Sequence, residues 1–189
     1  MLTVLYVDDE PGLLEVGKIF LERMGDMDVD TALSAKDAIS ALNTRAYDCI
    51  VSDYQMPVMD GIQFLIHVRE TSPAIPFILF TGKGREEVVI HALNNGADFY
   101  LQKGGEPKAQ FTELAHKIRI SVERRRSAER LRDSEQRFSD ILNFLPDATF
   151  AVDCFGTVIS WNNAMEKLTG VAREQVIGSG DYEYSLHVF

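Results

Sequence analysis

The chain has 189 residues, 46% hydrophobic and 25% charged, which is the composition of an ordinary globular protein with room for one domain and part of another. Its formal net charge of −10 disfavours nucleic-acid binding, because phosphate recognition needs a basic surface. Two cysteines far apart indicate no disulfide framework, and no apolar run approaches the roughly 20 residues that cross a bilayer. We therefore expect a cytoplasmic protein with neither a membrane nor a nucleic acid among its partners.

Up to about residue 105, short β-rich runs alternate with segments of helical periodicity, which is typical of a parallel α/β domain. Consecutive apolar residues such as Ile50 and Val51 predict central strands that are covered on both faces. The predicted strands are Leu2–Val7, Val29–Ala32, Cys49–Ser52, Pro76–Phe80 and Phe99–Leu101. The apolar positions at helical spacing between them are Leu13, Val16, Phe20 and Leu21, then Ala38, Ile39 and Leu42, then Phe64, Leu65 and Val68. Five strands and five helices in a doubly wound sheet are expected.

One long, highly charged helix is predicted from about residue 108. Some 35 residues at about 1.5 Å each would extend roughly 50 Å, more than a covering helix needs. Leu131, Phe138 and Leu142 follow the three-and-four spacing of a two-stranded coiled coil. Arg124 and Arg125 interrupt that pattern, so a solvated single helix with charge pairs four residues apart is an equal alternative.

A hairpin is predicted after this helix. The apolar runs Ala148–Val152 and Val158–Trp161 flank a turn with Asp153, Phe155 and Gly156. Only about 50 residues remain for this second domain, near the lower limit for independent stability. We expect it to be a fragment.

Polar side chains follow four of the predicted strands. Asp8 and Asp9 follow the first strand, Asp53 the third, Thr81 the fourth and Lys103 the fifth. In a doubly wound sheet, ligands bind at the carboxyl ends of the strands. We expect three carboxylates, one hydroxyl and one ammonium to meet in one pocket.

Three carboxylates so close together repel unless a cation lies among them, and Mg²⁺ prefers oxygen ligands. A divalent metal, Mg²⁺ or another, is therefore expected. With the metal bound, Asp53 could attack a phosphoryl group while Lys103 and Thr81 balance the charge on its oxygens. The product would be an aspartyl phosphate.

At these positions, residues 1 to about 105 resemble the receiver domain of bacterial and archaeal response regulators. The matching motifs are VDDE with Asp8 and Asp9, SDYQMPVMDG with Asp53, LFTGKG with Thr81, and FYLQK with Tyr100 and Lys103. The resemblance implies a flavodoxin-like sheet of five parallel strands in the order 2-1-3-4-5. It also implies two-component signalling.

The resemblance assigns roles at the acidic cluster. Asp53 would be the phosphoacceptor for a sensor histidine kinase or a phosphotransfer protein. Asp9 and Asp53 would bind the metal directly, Gln55 would offer its backbone carbonyl, and Asp8 would act through metal-bound water. Such a domain assists its own phosphorylation but is not an enzyme, and the chain shows no kinase catalytic domain.

The resemblance also implies a conformational switch made by Thr81 and Tyr100. Gly82 would leave open space for the phosphoryl group. Receivers usually have proline after the lysine, whereas Lys103 is followed here by Gly104 and Gly105. We expect a trans peptide there, in a mobile loop that holds Lys103 less firmly.

From about residue 135 the chain resembles the amino-terminal half of a PAS sensor domain. The supporting residues are Pro146, Asp147, Asp153, Gly156, Asn162, Gly170 and Gly178. We expect Asn162 to cap a helix and Trp161 to lie in the core, and Asp60 in the first domain to cap a helix too. The predicted organisation is a receiver core over 1–106, its last helix continuing as a linker over 107–140, and a truncated PAS-like domain over 141–189.

Together these features predict a phosphorelay receiver that signals through its helical linker to the PAS-like domain. A second copy of the chain is a candidate partner, through the receiver face or the linker helix. One alternative is an interaction or dimerisation scaffold that works without phosphorylation. A metal-dependent phosphatase is disfavoured, because its acids form an Asp-x-Asp motif and those here are adjacent.

Overall fold

The computed structural model of the chain describes residues 1–82 and 86–180. The chain divides into two compact units, with the boundary between Ser127 and Ala128.

The first unit is built on a sheet of five parallel strands in the order β2-β1-β3-β4-β5, which confirms the predicted topology. The strands are β1 Leu2–Val7, β2 Met27–Ala32, β3 Cys49–Ser52, β4 Phe77–Thr81 and β5 Phe99–Gln102. β2 begins two residues earlier than predicted, because buried Met27 pairs with Leu2 at the start of the ladder. β4 lies one residue later than predicted and ends at Thr81.

Five helices accompany this sheet in chain order. They are α1 Pro11–Glu22, α2 Ala35–Leu42, α3 Gly61–Thr71, α4 Glu86–Asn94 and α5 Pro107–Phe144. α5 is one uninterrupted helix of 38 residues, as its charge pattern predicts, and it ends four residues beyond the predicted limit at 140. The boundary between the two units falls within it, and the predicted domain limits stay predictions.

The sheet separates two hydrophobic cores. Leu5, Val7 and Ile50 face one core, whereas Val4, Tyr6 and Val51 face the other. Because neighbouring residues of a strand point to opposite faces, consecutive apolar residues are buried on both sides. Helices pack against both faces of the sheet, and the polar side chains of the candidate site lie at the carboxyl ends of the strands.

The apolar face of α1 is rotated relative to the prediction. Leu14, Gly17 and Leu21 are buried, while Val16, which the periodicity placed on the inner face, is 41% exposed. A buried glycine carries no apolar signal in the sequence. A Cβ at Gly17 would lie 2.3 Å from Cε1 of Tyr6 in β1, so the side of the helix that carries Gly17 packs against the sheet.

The second unit contains a small core below a hairpin. β6 Phe150–Val152 pairs antiparallel with β7 Val158–Trp161, and α6 Asn163–Thr169 and α7 Arg173–Val176 follow. Trp161 is buried with Val158, Met165 and Val176. The side chain of Asn162 accepts a hydrogen bond from the Met165 N–H at the start of α6. The predicted hairpin, core tryptophan and asparagine cap are confirmed.

Among the described helices, none is both long and apolar enough to cross a membrane. Cys49 is buried and Cys154 is exposed, and both are free thiols. Burial raises the pKa of the Cys49 thiol, which therefore behaves as a small core hydrophobe, as expected.

Candidate phosphorylation site

Asp53 is held at the end of β3 by contacts to both its backbone and its side chain. Its N–H donates to the Val7 carbonyl at 2.8 Å, extending the ladder between β1 and β3 by one residue. Its carboxylate accepts from the Gln55 N–H at 2.8 Å on Oδ2 and from Lys103 Nζ at 2.8 Å on Oδ1. The carboxylate therefore has a fixed orientation.

Lys103 bridges two carboxylates across the ends of three strands. Its N–H donates to the Thr81 carbonyl at 2.8 Å, so the residue leaves β5 in register with β4. Its Nζ lies 2.5 Å from Asp8 Oδ2 and 2.8 Å from Asp53 Oδ1. Asp8 is 1% exposed and its Oδ1 accepts from the Glu10 N–H at 3.0 Å. Three of the five predicted residues thus form one buried ionic cluster.

The electrostatics of this cluster leave an excess of negative charge. Burial raises the pKa of the Asp8 carboxyl, and the Lys103 ammonium only partly offsets it. Burial alone would lower the pKa of Lys103, but its hydrogen bonds to Asp53 and Asp8 outweigh burial and raise it. One ammonium therefore faces two carboxylates, and a further cation would be favourable there.

The expected meeting of three carboxylates is not present in this structure. Over residues 1–82 and 86–180, no three His, Cys, Asp or Glu side chains lie close enough to hold a metal ion. Asp9 is exposed, and Lys103 occupies the space between Asp8 and Asp53. The donor set still fits a hard cation, since two adjacent buried carboxylates carry more negative charge than one lysine neutralises. The proposed metal-ligand roles of Asp9 and Gln55 stay predictions.

Two hydroxyl groups near the site are buried without a hydrogen-bond partner among the described residues. They are Thr81 Oγ1 and the phenol oxygen of Tyr100. Burial, followed by the nearby charge of Asp53, raises the pKa of Tyr100. Buried hydroxyls of this kind normally have a partner, so both side chains keep unused hydrogen-bonding capacity beside the ionic cluster.

The expected space at Gly82 is present, since a Cβ built there would meet no described atom within 4 Å. Beyond the lysine, the described chain contains no cis peptide, which agrees with the trans bond expected before Gly104. Gly105 has a φ of +85°, a conformation that favours glycine. The Gly104 N–H donates to Gln110 Oε1 at 3.3 Å.

The sequence motif that follows Asp53 ends with Asp60 and Gly61 at the start of α3, and the motif alone does not reveal how closely Gly61 approaches Asp53. Asp60 caps α3 as predicted, accepting from the Ile62 and Gln63 N–H groups. A Cβ built at Gly61, the first residue of that helix, would lie 2.1 Å from the Asp53 carbonyl oxygen. In the sequence, this contact is marked only by a glycine at the start of a helix, where most other residues have a higher helix propensity.

The family model of the response regulator receiver domain matches residues 4–115. The chain belongs to the response regulator receiver family. A second family model, the PAS fold, matches residues 136–185. The chain therefore contains a receiver domain followed by part of a PAS fold, as the resemblance implied.

Two curated response regulators illustrate the relationship. The response regulator Rre1 of Synechocystis is 36% identical over 108 residues, covering 56% of this chain and 47% of the relative. The transcriptional regulatory protein SrrA of Staphylococcus aureus is 30% identical over 141 residues, covering 75% of this chain and 56% of the relative. This chain spans about half the length of these relatives.

A solved structure shows the same receiver fold. The receiver domain of the Francisella response regulator 1452 superposes with a TM-score of 0.59 at 31% identity. The match covers 66% of this chain and 98% of that structure. The receiver domain places the chain in two-component signalling.

Proposed function

We propose that Asp53 accepts a phosphoryl group from a phosphohistidine of a partner histidine kinase or phosphotransfer protein. The observation that carries this proposal is the Asp53 carboxylate, fixed between the Gln55 N–H and the Lys103 ammonium at the end of β3. A buried carboxylate with its orientation fixed by two donors is prepared for attack at one position.

The transfer is a displacement at phosphorus. An Asp53 carboxylate oxygen forms a bond to the phosphorus atom, the bond from phosphorus to the imidazole nitrogen breaks, and that nitrogen keeps the electron pair. Lys103 stabilises the negative charge on the phosphoryl oxygens, and the Thr81 hydroxyl can donate to one of them. The residues that assist the transfer are thus part of the acceptor domain.

We include a divalent cation, Mg²⁺ or a similar ion, in this proposal. Asp9 and Asp53 would bind the ion directly, the Gln55 carbonyl would be a further ligand, and Asp8 would act through metal-bound water. When bound, the ion would offset the charge that accumulates on the phosphoryl oxygens. The residual negative charge of the cluster supports this part of the proposal.

The two buried hydroxyls without partners support a conformational output of phosphorylation. A phosphoryl group on Asp53 would offer acceptor oxygens that draw in the Thr81 hydroxyl, and the Tyr100 side chain would then change its position. β5 leads directly into α5, whose Phe111, Leu114 and Ile118 are buried in the receiver core. We infer that α5 carries the change toward the PAS fold.

The chain would act as a regulator and not as an enzyme with a substrate of its own. Its chemistry is limited to receiving and losing one phosphoryl group on its own side chain. We keep a cytoplasmic location, without nucleic-acid binding, as part of this proposal. An acceptor for a soluble kinase domain would work in that compartment.

A second copy of the chain is the partner proposed for α5. Leu131, Phe138 and Ile141 are each about 60% exposed on this helix, although large apolar side chains normally avoid water. Ile141 replaces the predicted Leu142, which is partly buried. Sedimentation analysis of the wild type beside Leu131→Glu tests the dimer. A monomeric wild type would contradict it.

The phosphorylation proposal is tested by intact-mass measurement after incubation with Mg²⁺ and acetyl phosphate. The wild type should gain one phosphate, and Asp53→Asn should gain none. Asp60→Asn is the matched control, because Asp60 caps α3 and does not join the ionic cluster. No adduct in a folded wild type would instead favour the scaffold that works without phosphorylation.

A further inference from the structure

The main-chain carbonyl of Asp53 is held by the side chain of the preceding residue. Ser52 Oγ donates a hydrogen bond of 2.8 Å to this oxygen. Ser52 is fully buried at the end of β3, between β1 and β4. The Asp53 carbonyl lies beyond the end of β3, so the Ser52 hydroxyl supplies the hydrogen bond that a neighbouring strand would supply within the sheet.

The same carbonyl is enclosed on another side by the start of α3. A Cβ at Gly61 would lie 2.1 Å from the Asp53 oxygen and 3.0 Å from its carbonyl carbon. Gly61 also donates its N–H to the Tyr54 carbonyl at 2.8 Å. The capping interactions of Asp60 fix this end of the helix. Only a glycine allows the helix to approach so closely.

These contacts fix two consecutive peptide groups after the acceptor. Ser52 fixes the peptide between Asp53 and Tyr54, and Gly61 fixes the next one, which carries the Gln55 N–H. That N–H is one of the two donors that orient the Asp53 carboxylate, and it lies 2.8 Å from Oδ2. A rotation of the peptide between Asp53 and Tyr54 would therefore move the N–H and the carbonyl of Gln55 away from the Asp53 carboxylate.

We propose that Ser52 is a positioning residue for phosphoryl transfer, acting through the Asp53 carbonyl on the Gln55 N–H and hence on the acceptor carboxylate. The proposal rests on the proposed phosphorylation of Asp53. The Ser52 hydroxyl bonds to the main-chain carbonyl of Asp53, whereas the Asp53 carboxylate accepts from the Gln55 N–H and Lys103. Its contribution is to the orientation of Asp53, and this distinguishes it from a residue that only fills the core.

The test measures the rate of phosphorylation by acetyl phosphate in saturating Mg²⁺ for wild type, Ser52→Ala and Ser121→Ala. Ser121 is a matched control, because it is also buried and its hydroxyl also donates to main-chain carbonyls, those of Lys117 and Ile118. Urea unfolding of each variant gives its stability. The apparent Mg²⁺ affinity is measured in parallel.

We expect Ser52→Ala to slow phosphorylation on the order of tenfold, since small misplacements of reacting groups have large effects on rate. Ser121→Ala should keep the wild-type rate at a comparable loss of stability. Equal slowing of both variants, or a wild-type rate in Ser52→Ala, would overturn the proposal.

Ser52→Cys provides a second variant in case the alanine variant does not fold. Cysteine has nearly the same shape as serine but is a weaker donor, so the phosphorylation rate of Ser52→Cys should lie between those of wild type and Ser52→Ala. If Ser52→Ala is unfolded, the rate of Ser52→Cys should still be below that of wild type. A wild-type rate in Ser52→Cys together with an unfolded Ser52→Ala would overturn the proposal. If the wild type itself takes no phosphate, the proposed function fails first.

Discussion

A Cβ built at Gly17 would lie 2.3 Å from Cε1 of Tyr6, so α1 packs against β1 at a distance that only glycine permits. Gly17 is in the middle of a helix, where alanine is normally favoured by about 1 kcal/mol. The same Cβ would also lie 3.1 Å from Cε1 of Phe111 on α5. The contact therefore joins three elements of one core.

We predict that Gly17→Ala lowers the free energy of unfolding by about 1–3 kcal/mol, because overpacking outweighs the helix preference. Gly12→Ala is the control on the same helix, since its Cβ would meet no atom within 4 Å. That variant should be neutral or slightly more stable. Adding Tyr6→Leu to Gly17→Ala should recover part of the loss in urea unfolding. Equal stabilities for the two alanine variants would refute the close contact.

Replacing Lys103 by methionine should destabilise the receiver at pH 7, by about 3 kcal/mol, as for other buried pairs that lose one partner. The Asp8 and Asp53 carboxylates would remain buried without their cation. Lys18→Met is the control, because its pair with Glu22 is a surface pair and should contribute less than about 1 kcal/mol. Urea unfolding in EDTA measures both variants.

The Lys103→Met variant should also change its pH dependence in a defined direction. The pKa of Asp8 is raised by burial in the wild type, and loss of the Lys103 ammonium raises it further. A carboxyl whose pKa is higher in the folded state binds more protons there, so stability increases as the pH falls through that pKa. Relative to wild type, the variant should recover stability as the pH is lowered from 7 toward the ordinary aspartate pKa of about 4. A loss of stability over that interval would contradict this assignment.

Mg²⁺ should raise the midpoint of unfolding, because it binds the folded ionic cluster and not the unfolded chain. At an Mg²⁺ concentration of 100 times its Kd, the free energy of unfolding should rise by about 2.7 kcal/mol. Asp53→Asn should abolish most of this gain, while Asp37→Asn, at an exposed acid on α2, should keep it. Thermal unfolding at several Mg²⁺ concentrations makes the comparison. The same Mg²⁺ response in both variants would place the ion elsewhere.

Asn162 should be the most sensitive polar residue of the second unit. Its buried amide accepts from the N–H groups of Thr149 and Met165 and donates to the carbonyls of Leu142 and Asp147, at 2.9–3.0 Å. Asn162→Asp loses both donated bonds and should cost about 3 kcal/mol.

The chain's one tryptophan, Trp161, is buried in the same unit and reports its unfolding by fluorescence. Exposed Asn163→Asp is the control and should unfold as wild type does. If the two variants unfold at the same urea concentration, the four hydrogen bonds do not stabilise the unit as described.

Local patterns were sufficient to predict the five strands, the long helix and the position of Asp53 at a strand end, whereas the order of the strands came from the resemblance to receiver domains. The alternation of apolar residues could not show that Gly17 faces inward, since glycine has no side chain to mark a buried position. The sequence also placed Asp9 among the acidic groups, whereas the structure has Lys103 between Asp8 and Asp53. Distances between side chains 50 and 95 residues apart depend on tertiary packing, which no local pattern contains.

The most direct test of the central claim locates the phosphoryl group on the chain. The protein is incubated with acetyl phosphate and Mg²⁺, the acyl phosphate is reduced with borohydride, and the peptides are sequenced by mass spectrometry. Borohydride converts a phosphorylated aspartate to homoserine, so we predict homoserine at position 53 and aspartate at positions 8, 9 and 60. Homoserine at another aspartate, with position 53 unchanged, would contradict the assignment of Asp53 as the phosphoacceptor.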